Sequence, residues 1–117
     1  MDRILMKSKL HRLTVTETNV DYEGSISIDK DLLKASDIIV GEQVHVINLN
    51  NAARFETYAI EGKPGEVCLN GGAARLATPG DRIIVISYAL VNDAESKTFI
   101  PKIILVNKDN AVVSKKG

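Results

Sequence analysis

Short runs of β-branched residues, each cut off by a turn signal, constrain this chain more than any other feature. Leu13 and Val15 alternate with Arg12, Thr14 and Thr16, the two-residue period of a half-buried strand. On that strand Lys9 and His11 project from one face and Leu10 from the other. Ser25-Ile26-Ser27-Ile28 alternates again, and Asp29 then caps a short helix predicted over Lys30 to Ala35. Gly41 is a turn, and Val44, Val46 and Ile47 carry a strand to the Asn50-Asn51 turn. Arg54 to Ile60 is the next strand, with Arg54, Glu56 and Tyr58 on one face and Phe55, Thr57 and Ala59 on the other. Lys63-Pro64-Gly65 and Thr78-Pro79-Gly80-Asp81 are turns. Between them lie a short strand, Val67 to Leu69, the Asn70-Gly71-Gly72 turn, and one helical turn over Ala73 to Leu76. Arg82 to Leu90 is nearly continuously apolar and reads as a strand buried on both faces. Asn92 to Lys97 is polar and helical, Pro101 opens the last strong strand, Ile103 to Val106, and Asn107 to Asn110 is a turn. Ser114 to Gly117 reads as a frayed tail. So many short strands with one or two short helices point to a mainly β fold, a closed barrel or a sandwich.

The 117 residues are enough for a single domain, and no repeat or linker divides them. Fifteen Lys and Arg balance fifteen Asp and Glu. A nucleic-acid or polybasic membrane binder needs a basic excess, so neither partner is expected. Aromatics make up 4 % with no Trp, so the core must be aliphatic. The single cysteine, Cys68, excludes an intrachain disulfide framework and fits a reducing compartment. Ile83 to Val91 is too short to span a bilayer, and the N-terminus has no apolar signal core. The expected location is the cytoplasm. A domain this small, without disulfides, is expected to draw stability from oligomer contacts.

Familiar catalytic signatures are absent. His11 and His45 lie far apart without carboxylates at metal-ligand spacing, so no metal is expected. Gly71-Gly72 is too short for a phosphate loop. Cys68 sits in an apolar strand and reads as inert core. The odd place is Tyr22-Glu23-Gly24-Ser25, between two strands. A glycine reaches backbone angles closed to other residues, and the following serine hydroxyl can then approach the preceding carbonyl. Ser25 could attack its own peptide bond there, although Gly-Ser is also a common turn dipeptide.

The surrounding residues favour the chemical reading. Tyr22-Glu23-Gly24-Ser25-Ile26-Ser27-Ile28-Asp29 resembles the cleavage segment of the bacterial pyruvoyl-dependent aspartate 1-decarboxylases. Three further blocks resemble that family in the same order: Lys7-Ser8-Lys9-Leu10-His11-Arg12, Arg54-Phe55-Glu56-Thr57-Tyr58, and Asn70-Gly71-Gly72-Ala73-Ala74. Gly80-Asp81 and Pro101 also fall where the family has them, so the resemblance covers nearly the whole chain. Two departures are small-for-small: Asn51-Ala52-Ala53 replaces a turn that usually holds glycine, and Gly72 stands where alanine is commoner.

The resemblance implies a double-psi β-barrel assembled as a homotetramer, with active sites between subunits. It implies self-cleavage between Gly24 and Ser25 into a β chain of residues 1–24 and an α chain of residues 25–117. Ser25 becomes a covalently bound pyruvoyl group, the only cofactor, with Thr57 holding the Gly24 carbonyl and His11 near the Ser25 oxygen. That ketone forms a Schiff base with L-aspartate and draws electrons as CO₂ leaves. The product is β-alanine, a precursor of pantothenate and coenzyme A. Lys9 and Arg54 match the carboxylate-binding positions, with the assignment of each carboxylate open. Tyr58 matches the proton donor. Thr57, Asn70, Gly71, Gly72 and Ala73 line the substrate pocket, and Tyr22 contributes to the pocket or to cleavage. Some members need an accessory maturation protein, and the sequence leaves that open here.

Two other readings are weighed against this one. A non-catalytic β-barrel binding module would keep the fold and leave Ser25 unprocessed. It has no reason to hold Gly24-Ser25 together with Lys9, Arg54, Thr57 and Tyr58. A Ser/Lys hydrolase built on Ser25 and Lys9 lacks a separate oxyanion motif.

Overall fold

A computed structural model describes residues 1–117. The strands are β1 (Asp2–Thr14), β2 (Glu17–Asn19), β3 (Ser25–Asp29), β4 (Gln43–Asn48), β5 (Arg54–Gly62), β6 (Val67–Asn70), β7 (Arg82–Asn92), β8 (Lys102–Val106) and β9 (Val112–Lys116). Two short helices, α1 (Lys30–Ser36) and α2 (Asp93–Ser96), and a 3₁₀ segment, Gly71–Leu76, complete the chain. Asp29 caps α1 by accepting from the Asp31 N–H at 2.8 Å, and its other oxygen accepts from Gly65 N–H at 2.8 Å. The helix start is thereby tied to the Lys63-Pro64-Gly65 turn.

The strand order is β2-β6-β3-β5-β4-β7-β1-β8-β9. Only Val15 and Thr16 separate β1 from β2, so the order from β2 to β1 begins and ends on one run of chain. Thr16 N–H donates to the Val67 carbonyl and Val15 N–H to the Asp81 carbonyl, each at 2.8 Å. That run is thus tied to β6 on one side and to the approach to β7 on the other. The sheet closes into a barrel, with β8 and β9 added on the second edge of β1. Three pairings are parallel, β1 with β8, β2 with β6 and β3 with β5. This is the mainly β barrel with short helices that the double-psi resemblance implies.

The interior is aliphatic, as the lack of tryptophan demands. Leu10, Leu13, Ile26, Ile28, Val44, Val46, Val67, Leu69, Ile83 and Ile104 are fully buried in one cluster. Each such side chain contributes about 1.5–3 kcal/mol on burial. Leu10 and Leu13 both point inward although three positions separate them, which strict alternation forbids. A β-bulge between them resolves the phase, and Arg12 sits there at φ 67°. The Arg82 guanidinium braces the bulge, donating to the Arg12 carbonyl at 2.8 and 3.0 Å.

Three expectations change. Ser114 to Lys116 are not frayed: they belong to β9, which pairs antiparallel with β8. Its side chains are mostly exposed, so backbone pairing leaves no hydrophobic alternation to read. The short β2 was not foreseen, for the same reason. Strand β7 is buried on both faces only in its first half; its pairing with β4 ends at Ile86, and Tyr88 and Leu90 beyond that point are exposed.

Candidate active site

Ser25 opens β3 and is 1 % exposed. Its hydroxyl donates to the Glu23 carbonyl at 3.0 Å, across the Gly24–Ser25 bond. The Asn70 amide donates to Ser25 Oγ at 2.9 Å and to Ser27 Oγ at 3.0 Å. Strand register explains the meeting, since Ser25 pairs with Asn70 and Ser27 with Cys68. The Cys68 thiol donates to Asn70 Oδ1 at 3.2 Å. Both amide protons and the amide oxygen are thereby used, which fixes which end of Asn70 faces Ser25.

Cys68 is therefore more than inert core. Burial, then the nearby Glu17 and Glu66 carboxylates, push its thiol up to about 11, so it stays protonated and able to donate.

Gly71, at φ 63°, presses on the same bond. A Cβ there would stand 2.7 Å from Gly24 N and Cα and 3.0 Å from the Tyr22 carbonyl oxygen. Only glycine fits both the angle and the approach. Gly72 is exposed, while Ala73 packs partly against the core. Tyr22 is 54 % exposed.

In β5, Ala59 pairs with Ile26 in parallel register. One step back sets Tyr58 at the level of Ser25, and two set Thr57 at the level of Gly24. Thr57 is half-buried and Tyr58 exposed, and neither side chain makes a hydrogen bond within the chain.

Lys9, Ile86, His45 and Glu56 form one cross-strand row. The next row, Leu10, Val85 and Val46, is core, so the Lys9 row faces outward. Arg54 and Tyr58 share that outer face with Glu56. Lys9 and Arg54 have no ion-pair partner in the chain. An open cleft of about 200 Å³ lies between Arg54, Glu56, His45 and Tyr88.

His11 does not hydrogen-bond Ser25. It lies on β1 beside Leu105 of β8, and its Nδ1 is buried without a partner. Burial first, then Lys9, Arg12 and Arg82, lower its basicity below the ordinary histidine value, which favours the neutral ring.

One chain therefore brings together Ser25, Gly24, Asn70 and Gly71 and sets Tyr58 and Thr57 beside them by register. It keeps Lys9 and His11 on β1 and Arg54 at the start of β5, four residues before Tyr58. Sequence reasoning missed Ser27, Gln43 and Tyr88, and missed the second function of Cys68. Isolated strand residues carry no signal of their cross-strand partners.

The aspartate decarboxylase family model matches residues 1–113. The chain is 53 % identical to the aspartate 1-decarboxylase of Thermoanaerobacter pseudethanolicus over 116 residues, covering 97 % of this chain and 99 % of that one. It is 54 % identical to that of Acetivibrio thermocellus over 115 residues, covering 97 % and 91 %. It is 56 % identical to that of Campylobacter jejuni over 111 residues, covering 94 % and 88 %. A match over almost the entire length, on a barrel that holds a buried serine hydroxyl at a Gly-Ser bond, leaves one conclusion: the chain belongs to the aspartate decarboxylase family.

Proposed function

We propose that this chain cuts itself between Gly24 and Ser25 and then converts L-aspartate to β-alanine and CO₂, in the cytoplasm, for pantothenate synthesis. The observation that carries the reading is the Ser25 hydroxyl, buried against the Gly24–Ser25 bond and gripped by Asn70. No helix is long and apolar enough to cross a membrane.

Cleavage begins when Ser25 Oγ attacks the Gly24 carbonyl carbon. The C–N bond breaks, an ester forms on Oγ, and the Ser25 nitrogen takes up the hydroxyl proton. Thr57, level with Gly24 across the parallel pair, is the donor for the developing oxyanion. Loss of the Ser25 α-proton then expels residues 1–24 as a carboxylate and leaves a dehydroalanine. Water replaces its nitrogen as ammonia, which yields the pyruvoyl group. Ser25 fits this origin because its Oγ is dry, oriented and next to a bond with glycine on both contacting sides. A pyruvoyl group supplies an electron-withdrawing carbonyl for decarboxylation.

The remaining chemistry belongs to side chains. Arg54 presents a planar fork suited to a carboxylate, and Lys9 adds a point charge. Tyr58 Oη returns a proton to the carbon that has lost CO₂. Asn70 with the backbone of Gly71, Gly72 and Ala73 lines the pocket, and Tyr22 borders it. His11 is the candidate group for the Ser25 oxygen that the family resemblance implies. Lys9, Arg54 and Tyr58 all face outward beside the apolar Ile47 and Ile86, which fits a homotetramer with sites between subunits.

The test is the intact mass of the denatured protein. Two pieces that sum to the full chain plus a water minus an ammonia, the larger without a free amine, are expected. Ser25→Ala should remain one piece and release no β-alanine. A wild-type chain that stays whole after prolonged warm incubation, also with an accessory maturation protein present, and makes no β-alanine from aspartate, would indicate a binding module instead.

A further inference from the structure

Arg54 and Glu56 stand two residues apart on the outer face of β5. Side chains so placed are about 7 Å apart at their roots, within reach of each other. Opposite charges at that spacing can pair. Yet Arg54 has no partner in the chain, whereas both oxygens of Glu56 are occupied. Gln43 Nε2 donates to Glu56 Oε2 at 2.7 Å. His45 Nε2 lies 3.2 Å from Glu56 Oε1. The His45 ring is fixed in turn, with Nδ1 3.0 Å from Tyr88 Oη and the two rings edge to face at 5.1 Å. Tyr88 Oη and His45 Nδ1 share a hydrogen bond, and Nε2 rests against Glu56 Oε1 as a close polar contact.

We propose that Gln43, His45 and Tyr88 hold Glu56 away from Arg54 and so keep the guanidinium vacant for a substrate carboxylate. The ladder makes this arrangement natural. His45 pairs directly with Glu56, and Gln43 pairs with Tyr58, one same-face position further along β5. Released, the Glu56 carboxylate can swing to the other side and neutralise Arg54. Glu56 would then act as a built-in competitor for every dicarboxylate that enters. Gln43, His45 and Tyr88 are positioning residues in this scheme, because none of them needs to touch substrate.

The inference rests on the reading of Arg54 as a carboxylate grip, and the experiment separates the two. In processed enzyme, KM and kcat for aspartate and the Kd of succinate, an unreactive dicarboxylate, are measured for four variants. Gln43→Ala combined with His45→Phe should raise KM and the succinate Kd about two- to fivefold, the scale of a competing surface ion pair, with kcat unchanged. His45→Phe keeps a ring against Tyr88. Adding Glu56→Gln to that pair should restore both constants, because the competing charge is gone. Glu56→Gln alone should leave them unchanged or lower. Arg54→Ala should raise both by more than any of these. If Arg54→Ala leaves succinate binding intact, the reading of Arg54 is wrong. If Arg54→Ala weakens binding but the Gln43/His45 variant does not, the inference alone fails. It fails equally if Glu56→Gln does not rescue, since the loss would then be structural.

Discussion

The seam around Ser25 and the outer face around Arg54 solve opposite problems. In the seam the buried side chains answer one another within one chain, Ser25 by Asn70 and Asn70 by Cys68 and Ser27, while the bare backbone of Gly71 packs against Gly24. On the outer face Arg54 and Lys9 are left unanswered, while the one acid between them is tied down. A reaction that happens once, within the chain, favours a closed arrangement that fixes a single geometry. A reaction that repeats on a visiting anion needs charge held open. Variants that blur this division are the sharpest probes of it.

Gly71→Ala should have the largest effect. A methyl group at Gly71 would meet Gly24 backbone at 2.7 Å, and the φ of 63° would add about 1–2 kcal/mol of strain. Displacing the scissile bond by about 1 Å should slow cleavage on the order of 100-fold. A time course of chain splitting, read by denaturing mass spectrometry, checks it. Cleavage at the wild-type rate would mean that the seam tolerates looseness, and the contrast with the outer face would lose its basis.

Cys68 gives a finer probe. Cys68→Ala leaves Asn70 Oδ1 buried without a donor, a cost of about 1–3 kcal/mol, and frees the amide to turn away from Ser25. Cleavage should slow several-fold, whereas Cys68→Ser, which keeps a donor, should cleave normally. If both variants behave alike, volume rather than the hydrogen bond orients Asn70. The same thiol predicts a pH effect with a definite sign. The folded chain holds it protonated up to about 11, whereas an unfolded thiol ionises near 9.0. Its contribution to stability is therefore complete below the unfolded value and is lost as pH rises through that window. Urea midpoints across it should fall more steeply for wild type than for Cys68→Ser.

How much of this was legible depends on whether a residue advertises its partner. The strand Ser25 to Asp29, the Asp29 cap and the proline and glycine turns are local signals, and the structure keeps them. The barrel is legible only as a class, because closure depends on Val15 and Thr16 carrying one run between two neighbours. Gly24 and Ser25 stand out as a Gly-Ser bond between two strands, family resemblance adds Asn70 and Gly71, and the structure supplies the contacts between them. Cys68 was misjudged in part because a buried strand cysteine looks the same with or without an acceptor. The Gln43, His45, Glu56 and Tyr88 arrangement had no local signature at all. It exists only because β4 pairs with β5 on one side and β7 on the other.

The smallest expected effect lies at the turn that delivers Arg54. Ala52 adopts φ 65°, where an alanine Cβ crowds the following carbonyl, and it stands in the turn where the family usually carries glycine. The turn is otherwise well bonded: Ala52 N–H donates to the Asn48 carbonyl at 2.9 Å, and Asn48 N–H to the Ala53 carbonyl at 2.8 Å. Ala52→Gly relieves about 1 kcal/mol of left-handed strain but returns part of it as unfolded-chain entropy. The net gain should be about 0.5 kcal/mol, or roughly 2–4 °C in Tm by calorimetry. Neither cleavage nor KM should change, because Ala52 touches no site residue and the β4–β5 register is fixed by five paired positions. A stabilised variant with altered KM would show that the strained turn helps aim Arg54. The outer face would then be held open by backbone strain as well as by the hydrogen bonds on Glu56.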